Sequence, residues 1–188
     1  MNRHSVGFTI VEVMVAMVIS AVSLLGILGL SIKTVQQEAE SYQRVQALTL
    51  LQDMVDRLKV NRQVASCYSK GSVGLSVGTG VTFTINCTDG TAAQNAQVAA
   101  DLIEWDSYLK GSTERNSADN SYVGSVIGAR GCIVQVDATN QIYRITVAWQ
   151  GLGSTVAPKN SCGQGKYGTD DTLRRTVNAV IRIGDLST

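Results

Sequence analysis

The sequence predicts an α+β fold in which a long N-terminal α-helix, transmembrane in its first half, packs on a C-terminal antiparallel β-sheet of about four strands. Three observations predict it: an apolar run near the N-terminus, an amphipathic helical pattern after it, and short alternating segments in a body rich in Gly, Ser, Thr and Val. The 188 residues suffice for one core of ordinary size, so we expect one globular body.

Charge and histidine content argue against several classes of function. The 16 lysines and arginines nearly balance the 15 acidic residues, so there is no electrostatic footprint for nucleic acid and no motif that would bind it. The single histidine, His4, stands at the N-terminus, which argues against a histidine-based triad or metal site. We therefore expect no enzyme activity, no cofactor and no metal ion.

The apolar run covers residues 8–32 and contains one ionisable side chain, Glu12. As a helix it would be about 37 Å long, against roughly 30 Å for the hydrocarbon core of a bilayer. An ordinary secretory signal has a shorter apolar region followed by a cleavage site, so the run predicts a transmembrane segment. Arg3 before the run favours a cytoplasmic N-terminus and an exported body, although Lys33 after it weakens the asymmetry.

Glu12 is the informative residue of this run. A carboxylate at membrane depth costs about 2.5 to 3.5 kcal/mol on insertion scales unless a cation meets it. The run holds no other charge, so the partner must come from another molecule or from an amino group made by cleavage just before the run. Cleavage between Gly7 and Phe8 would supply that group. The structural alternative is an acid tolerated near the membrane interface.

Residues 33–62 turn polar but keep a helical period. The pattern predicts that the helix continues, to a length of about 80 Å over residues 8–61, and that its apolar stripe docks on a sheet. A coiled coil is the alternative, but strict heptads are not sustained. The stripe consists of Val35, Ala39, Tyr42, Val45, Leu48, Leu51, Val55 and Leu58.

Residues 63–188 form the predicted globular body, which faces the periplasm or the exterior. Alternating residues predict strands at 81–87, 132–136, 143–149 and 177–183, of which the second and third form a hairpin across a turn at 137–141. Helical spacing predicts a short packing helix at 93–110, and residues 111–131 and 151–172 read as long loops. The packing residues of that helix are Ala96, Ala99, Leu102, Ile103 and Leu109.

The body contains four cysteines, Cys67, Cys87, Cys132 and Cys162. With no C-x-x-C spacing and no histidine beyond His4, they do not form a zinc motif. If the body is exported, an oxidising compartment favours disulfides, and a bridge from Cys67 to Cys87 would contribute roughly 3 kcal/mol. Four cysteines allow three pairings, of which we favour the nearest neighbours; buried free thiols are the alternative.

The residues GFTIVE at 7–12 resemble the class III leader of type IV prepilins and of type II secretion pseudopilins. In that family a short basic leader ends in glycine and is followed by phenylalanine, with glutamate as the fifth mature residue. The resemblance implies a leader of residues 1–7, cleavage after Gly7 by prepilin peptidase, N-methylation of Phe8, and pairing of Glu12 with the terminal amine of a neighbouring subunit. It also implies the lollipop-shaped pilin fold.

Further segments are similar to the type IV pilus modification (PilV) group of minor pilins, in the same order along the chain: 46–62, 101–105, 131–133 and 143–151. This resemblance implies a single-pass inner-membrane protein, N-in and C-out, that joins other minor pilins, the major pilin and a tip adhesin in a complex that primes pilus assembly. The last strand opens with Arg174 and Arg175, where some relatives have Cys-Arg, which leaves the second bridge to Cys162.

Two other functions are compatible with the sequence. A type II secretion pseudopilin shares the leader and the helix, and an anchored periplasmic binding protein would have no use for Glu12. Two acidic pairs are weaker candidates for chemistry: Glu104 with Asp106, which we expect to be solvated on a helix surface, and Asp170 with Asp171, which lack an EF-hand pattern and which we expect in a turn.

Overall fold

The computed structural model describes residues 7–112, 117–118 and 126–184. In these ranges the chain forms α1 (Ile10–Val60), a 3₁₀ helix (Arg62–Tyr68), β1 (Leu75–Gly78), α2 (Ala92–Leu109), β2 (Arg130–Asp137), β3 (Ile142–Gln150) and β4 (Arg174–Arg182). The predicted α+β fold, a long N-terminal helix with a four-stranded antiparallel sheet, is confirmed. Most of the predicted leader, residues 1–6 with Arg3 and His4, and part of the loop at 111–131 lie outside the described residues.

The contacts divide the chain into two compact units, an N-terminal unit (Met1–Glu40) and a head unit (Ser41–Thr188). In the N-terminal unit α1 runs without interruption past Gly26 and Gly29. Its Ser20, Ser23 and Ser31 hydroxyls donate to the carbonyl oxygens one turn earlier, so these polar groups are satisfied within the helix. Among the described residues α1 is the one helix apolar enough to cross a membrane, with a mean hydropathy of 2.6 over an 18-residue window.

In the head unit the last turns of α1 supply Ala47, Leu51, Met54, Val55 and Leu58 to the core. The predicted stripe is wrong in its first half, because the side chains of Val35, Tyr42, Val45 and Leu48 are exposed. Successive steps of three residues turn a helical stripe by about 60° each, so Tyr42 and Leu51 lie on roughly opposite sides of the helix. Only positions spaced like 47, 51, 54 and 58 stay on the face that meets the sheet.

The sheet has the order β1-β2-β3-β4, with every neighbouring pair antiparallel. The predicted hairpin is present as β2 and β3, and the predicted last strand is β4. One row across the sheet places Val77, Gly131, Val147 and Val177 side by side. We call the face that carries this row the inner face, because it packs against α1 and α2.

The predicted strand at 81–87 is wrong. These residues have no regular secondary structure and pair with no strand, although they alternate in exposure, and β1 lies earlier in the chain at Leu75–Gly78. Phe83 and Ile85 pack against the core. The alternation between apolar and polar residues therefore reflects a segment that lies with one side on the core, without pairing to a strand. Since β1 occupies the place beside β2, residues 81–87 do not pair with that strand.

Helix α2 matches the predicted helix within one residue at each end, but its buried face differs. It buries Val98, Asp101, Leu102, Trp105 and Leu109, whereas Ile103 is 56% exposed. Trp105 is the largest fully buried side chain, and its indole N–H donates to the Leu50 carbonyl oxygen of α1 at 2.9 Å. This hydrogen bond ties α2 to α1 beneath the sheet.

Gly131 makes the close approach of α2 and the sheet possible. A Cβ at this position would lie 2.2 Å from Cη2 of Trp105 and 2.8 Å from Cδ1 of Leu109. The tryptophan ring therefore lies directly on the β2 backbone, which no larger residue would allow.

Candidate functional site

The start of α1 is built by a reciprocal hydrogen-bond pair. The Glu12 backbone N–H donates to the Thr9 hydroxyl oxygen at 3.3 Å, and the Thr9 backbone N–H donates to Glu12 Oε2 at 3.0 Å. The Thr9 hydroxyl also donates to Oε2 at 3.0 Å. This arrangement is a capping box, which satisfies N–H groups that a helix start leaves unpaired. Thr9 is not among the predicted site residues, although the pattern T-x-x-E signals this motif.

The capping box fixes where the Glu12 carboxylate lies. It stands in the first turn of α1, where the helix dipole favours a negative charge. Within the ranges that the structure describes, it forms no salt bridge, so no described residue supplies the cation that this carboxylate is predicted to need. Gly7 and Phe8 precede the helix, and the Phe8 side chain is 89% exposed. The bond between Gly7 and Phe8 is therefore accessible one turn before the carboxylate.

Between Val13 and Ile32 the surface of α1 is apolar on all sides. Its large side chains from Ile10 to Ile32 are about half to three-quarters exposed, which water would penalise and lipid or neighbouring apolar helices would accept. A shallow groove next to Glu12 is floored by Ala16, Ser20 and Ala21. Small side chains of this kind allow another helix to approach closely.

In the head unit an ion cluster joins α1 to α2. The Arg57 guanidinium donates to Asp53 at 2.9 Å, to Asp101 at 3.1 Å and to Glu104 at 2.7 Å. Burial alone would lower the pKa of Arg57, but the three carboxylates outweigh it and raise the pKa above its ordinary value. The Tyr68 hydroxyl of the 3₁₀ helix also donates to Asp101, and burial together with this bond raises the pKa of Tyr68. Arg57 and Asp101 are thus each held by several partners, which is typical of a structural cluster.

Glu104 and Asp106 point to different partners, as side chains two apart on a helix must. Glu104 accepts hydrogen bonds from Arg57 and Tyr108 and remains half exposed. Asp106 is not the solvated group that we expected, because its side chain is only 13% exposed. It accepts a hydrogen bond from the Gly78 backbone N–H at 2.7 Å and pairs with Lys110. The two carboxylates do not converge on one site.

Asp170 and Asp171 also serve the local backbone. Asp170 accepts hydrogen bonds from Thr172, and Asp171 accepts from the Gly165 N–H and pairs with Arg174 at 3.3 Å. In the described ranges, no three potential metal ligands come together. The carboxylates of this loop therefore stabilise its turns.

Arg174 is a structural residue whose role the sequence analysis did not recognise. Its side chain is 2% exposed and donates to the carbonyl oxygens of Pro158, Asn160 and Cys162 at 2.9, 2.6 and 2.9 Å. The guanidinium thus organises the loop that leads to Cys162. The buried guanidinium supplies hydrogen-bond donors to loop carbonyl groups that would otherwise lack a partner.

Both disulfides are present in the structure, Cys67–Cys87 with a Cα–Cα distance of 5.2 Å and Cys132–Cys162 with 5.9 Å. This is the nearest-neighbour pairing favoured by the sequence analysis, and no described cysteine is free. Cys132 points away from the inner face, and with Ala148, Cys162 and Tyr167 it forms a small second core on the opposite face of the sheet, which we call the outer face.

Comparison with known protein families gives two matches. The model of the prokaryotic N-terminal methylation motif matches residues 3–28, and the Tt1218-like model, described as type IV pilin Tt1218, matches residues 29–103. Together they cover the capping box, all of α1, the 3₁₀ helix, β1 and most of α2. No curated protein and no solved structure matches the chain.

Proposed function

This chain is a type IV pilin-like protein, and from that premise we propose that it is a minor pilin which joins other minor pilins in the complex that primes pilus assembly and ends at the filament tip. Type IV pilins are structural subunits, so the chain acts by binding. Its partners are prepilin peptidase, the inner membrane, other minor pilins, the major pilin and a tip adhesin. Motility, adhesion or DNA uptake would then depend on it through the pilus.

The observation that carries the proposal is the position of Glu12 one turn after the exposed Gly7–Phe8 bond. Cleavage after Gly7 converts the Phe8 amide into an amine, and N-methylation leaves that amine protonated. Because Thr9 occupies one carboxylate oxygen, Oε2, the other oxygen remains available to a cation from outside. The chemistry fits a pair between Glu12 of one subunit and the Phe8 amine of a neighbour.

Apolar surroundings make this pair selective. A carboxylate that enters an apolar helix bundle without its cation costs several kcal/mol, whereas a matched pair recovers much of that cost. A subunit whose Glu12 carboxylate meets the amine of a neighbour can therefore enter a bundle of apolar helices at little cost. A subunit whose carboxylate stays unpaired is excluded from the bundle. The exposed apolar surface from Ile10 to Ile32 and the groove floored by Ala16 and Ser20 support this mode of assembly.

The first test is the intact mass of the chain recovered from cells with and without prepilin peptidase. We expect a mature chain that begins at N-methylated Phe8 in the first case and an intact leader in the second. An intact Met1 in cells that contain the peptidase would contradict the proposal at its first step.

The second test compares Glu12→Val with Thr9→Ala, which removes the cap but keeps the carboxylate. We expect Glu12→Val to be cleaved normally but lost from pili sheared off the cell surface. Thr9→Ala costs about 1 kcal/mol of local helix stability and should remain in the sheared fraction. Glu12→Val present in pili at the wild-type level would contradict the role of the carboxylate in assembly. A wild-type chain absent from sheared pili would argue for a type II secretion pseudopilin or, if Glu12→Val also functions normally, for an anchored binding protein.

A further inference from the structure

Strand β4 forms one edge of the sheet, and its register with β3 fixes which backbone groups face outward. The Gly151 N–H donates to the Leu173 carbonyl, and the Ile183 N–H donates to the Gln141 carbonyl. With the regular register between these points, odd-numbered residues of β4 bond to β3, and the N–H and C=O groups of Thr176, Asn178, Val180 and Arg182 point away from the sheet.

The two ends of β4 differ in how they are covered. Near its start the Asn160 side chain donates to the Thr176 hydroxyl, and Arg175 donates to the Gly153 carbonyl and the Thr155 hydroxyl. From Asn178 to Arg182 the described part of the chain supplies no hydrogen-bond partner for the outward groups. Devices that usually protect an edge, such as a proline, a bulge or a very short strand, are absent between β3 and β4.

The outer face beside this open edge is basic. Arg144 of β3 lies directly across from Val180, and Arg182 follows two residues later on the same face. Both side chains are exposed, and neither forms a salt bridge within the described ranges. The carboxylate that attracts Arg182 is Asp137 of the hairpin turn, which already accepts two hydrogen bonds from Asn140.

The inner face beside the same edge is apolar. Ala179 and Ile181 are partly buried and pack against the main core, so one side of each remains uncovered at the edge of the sheet. A further strand placed here would cover both side chains and extend the core by one strand width.

We infer that the open edge of β4 from Asn178 to Arg182 is a docking site for an extended segment of another protein whose residues alternate between acidic and apolar. Its backbone pairs with the outward groups of β4, its acidic side chains face Arg144 and Arg182, and its apolar side chains cover Ala179 and Ile181. Self-pairing of two β4 strands would instead bring the arginines of both copies to one seam, with no carboxylate beyond the Asp137 that each copy carries, so charge favours a different, acidic partner. This site belongs to the head unit and does not depend on the role of Glu12.

The test uses the full-length chain in neutral detergent and a fluorescent synthetic peptide of alternating glutamate and valine. We expect saturable binding by fluorescence anisotropy, with the lysine-and-valine peptide about tenfold weaker or worse. Amide hydrogen exchange should slow at Asn178, Val180 and Arg182 when the acidic peptide binds. Equal binding of both peptides, no binding of the acidic peptide, or no slowing at these amides would overturn the inference.

Two variants distinguish backbone pairing at the β4 edge from nonspecific binding. Val180→Pro removes an outward donor without removing a bond to β3, so we expect it to lower the affinity about tenfold, whereas Val180→Ala keeps the donor and should bind within about twofold of wild type. Should the proline variant misfold, Arg144→Glu combined with Arg182→Glu tests the charge term alone and should reverse the peptide preference. An unreversed preference, or a dimer of the free chain with slowed exchange at Val180, would exclude the proposed partner.

Discussion

Replacing Gly131 by alanine probes the contact between α2 and the sheet. The added Cβ would lie 2.2 Å from the Trp105 ring and 2.8 Å from Leu109, distances that real side chains do not tolerate. Gly131 does not have a left-handed backbone, so the alanine meets no strain in φ. Its whole effect therefore comes from displacement of the tryptophan.

The size of the effect follows from what Trp105 must give up. Overpacking of a buried site costs about 1 to 3 kcal/mol, and a ring that moves also weakens the 2.9 Å bond to the Leu50 carbonyl, worth about 1 kcal/mol. Alanine in place of glycine returns roughly 0.5 to 1 kcal/mol through the unfolded chain. We expect a net loss of about 2 kcal/mol, or a fall in Tm of roughly 4 to 8 °C for a unit of this size.

Thermal unfolding of the full chain in detergent, followed by tryptophan fluorescence, measures this loss because Trp105 and Trp149 are both buried in the head unit. Gly184→Ala is the matched control, since a Cβ there meets open space, and it should melt like wild type. Gly131→Ala combined with Trp105→Phe should be less destabilised than the sum of the single variants. A wild-type Tm for Gly131→Ala, or strict additivity, would refute the packing argument.

Two further predictions concern the head unit. Replacing Cys132 and Cys162 together by serine should lower stability by roughly 3 to 4 kcal/mol, because the lost bridge spans 30 residues; an unchanged melting curve would contradict this. Hydrogen bonds from Tyr108 and Arg57 lower the pKa of Glu104, so its contribution to stability is complete above the ordinary glutamate pKa and is lost as the pH falls through the lowered value. Melting curves from pH 7 to pH 3 should therefore show a weaker pH dependence for Glu104→Gln, and identical slopes would exclude the effect.

The parts of the fold that the sequence predicts well are those whose pattern is local. Helix α1 has a long uninterrupted apolar and amphipathic run, and β2 with β3 combines two alternating segments with a turn-rich connection. In these elements the hydrophobic period, the turn residues and the observed hydrogen bonds agree, so nothing distant is needed to place them.

The sequence predictions fail where contacts between residues far apart in the chain determine the structure. Residues 81–87 alternate as a strand would, but β1 already occupies the place beside β2. Helix α2 buries Asp101 because Arg57 and Tyr68 meet it there, a contact that no local pattern announces. Apolar residues spaced three apart along α1 give a continuous stripe in the sequence. This spacing nevertheless turns the stripe around the helix, so that it faces away from the core at Tyr42 and toward it at Leu51.

The candidate functional residues also differ in whether a local sequence pattern reveals them. Glu12 stands out because a charge in an apolar run is visible in sequence, and Thr9 could have been found from its spacing to Glu12. The open edge of β4 could not, because it depends on which side of the strand β3 occupies and on the loop that covers Thr176. Arg174 is hidden for the same reason, since its partners lie in a loop with no pattern of its own.

The disulfide between Cys132 and Cys162 also bears on the order in which the chain folds. Cys132 lies on β2 and Cys162 in the loop after β3, so the two thiols meet only when the chain has turned back through the hairpin. Hairpins close within microseconds, whereas thiol oxidation takes seconds or longer. We therefore expect strand pairing to bring these two thiols together before they are oxidised. An oxidase would then form the disulfide between cysteines that the backbone has already made neighbours.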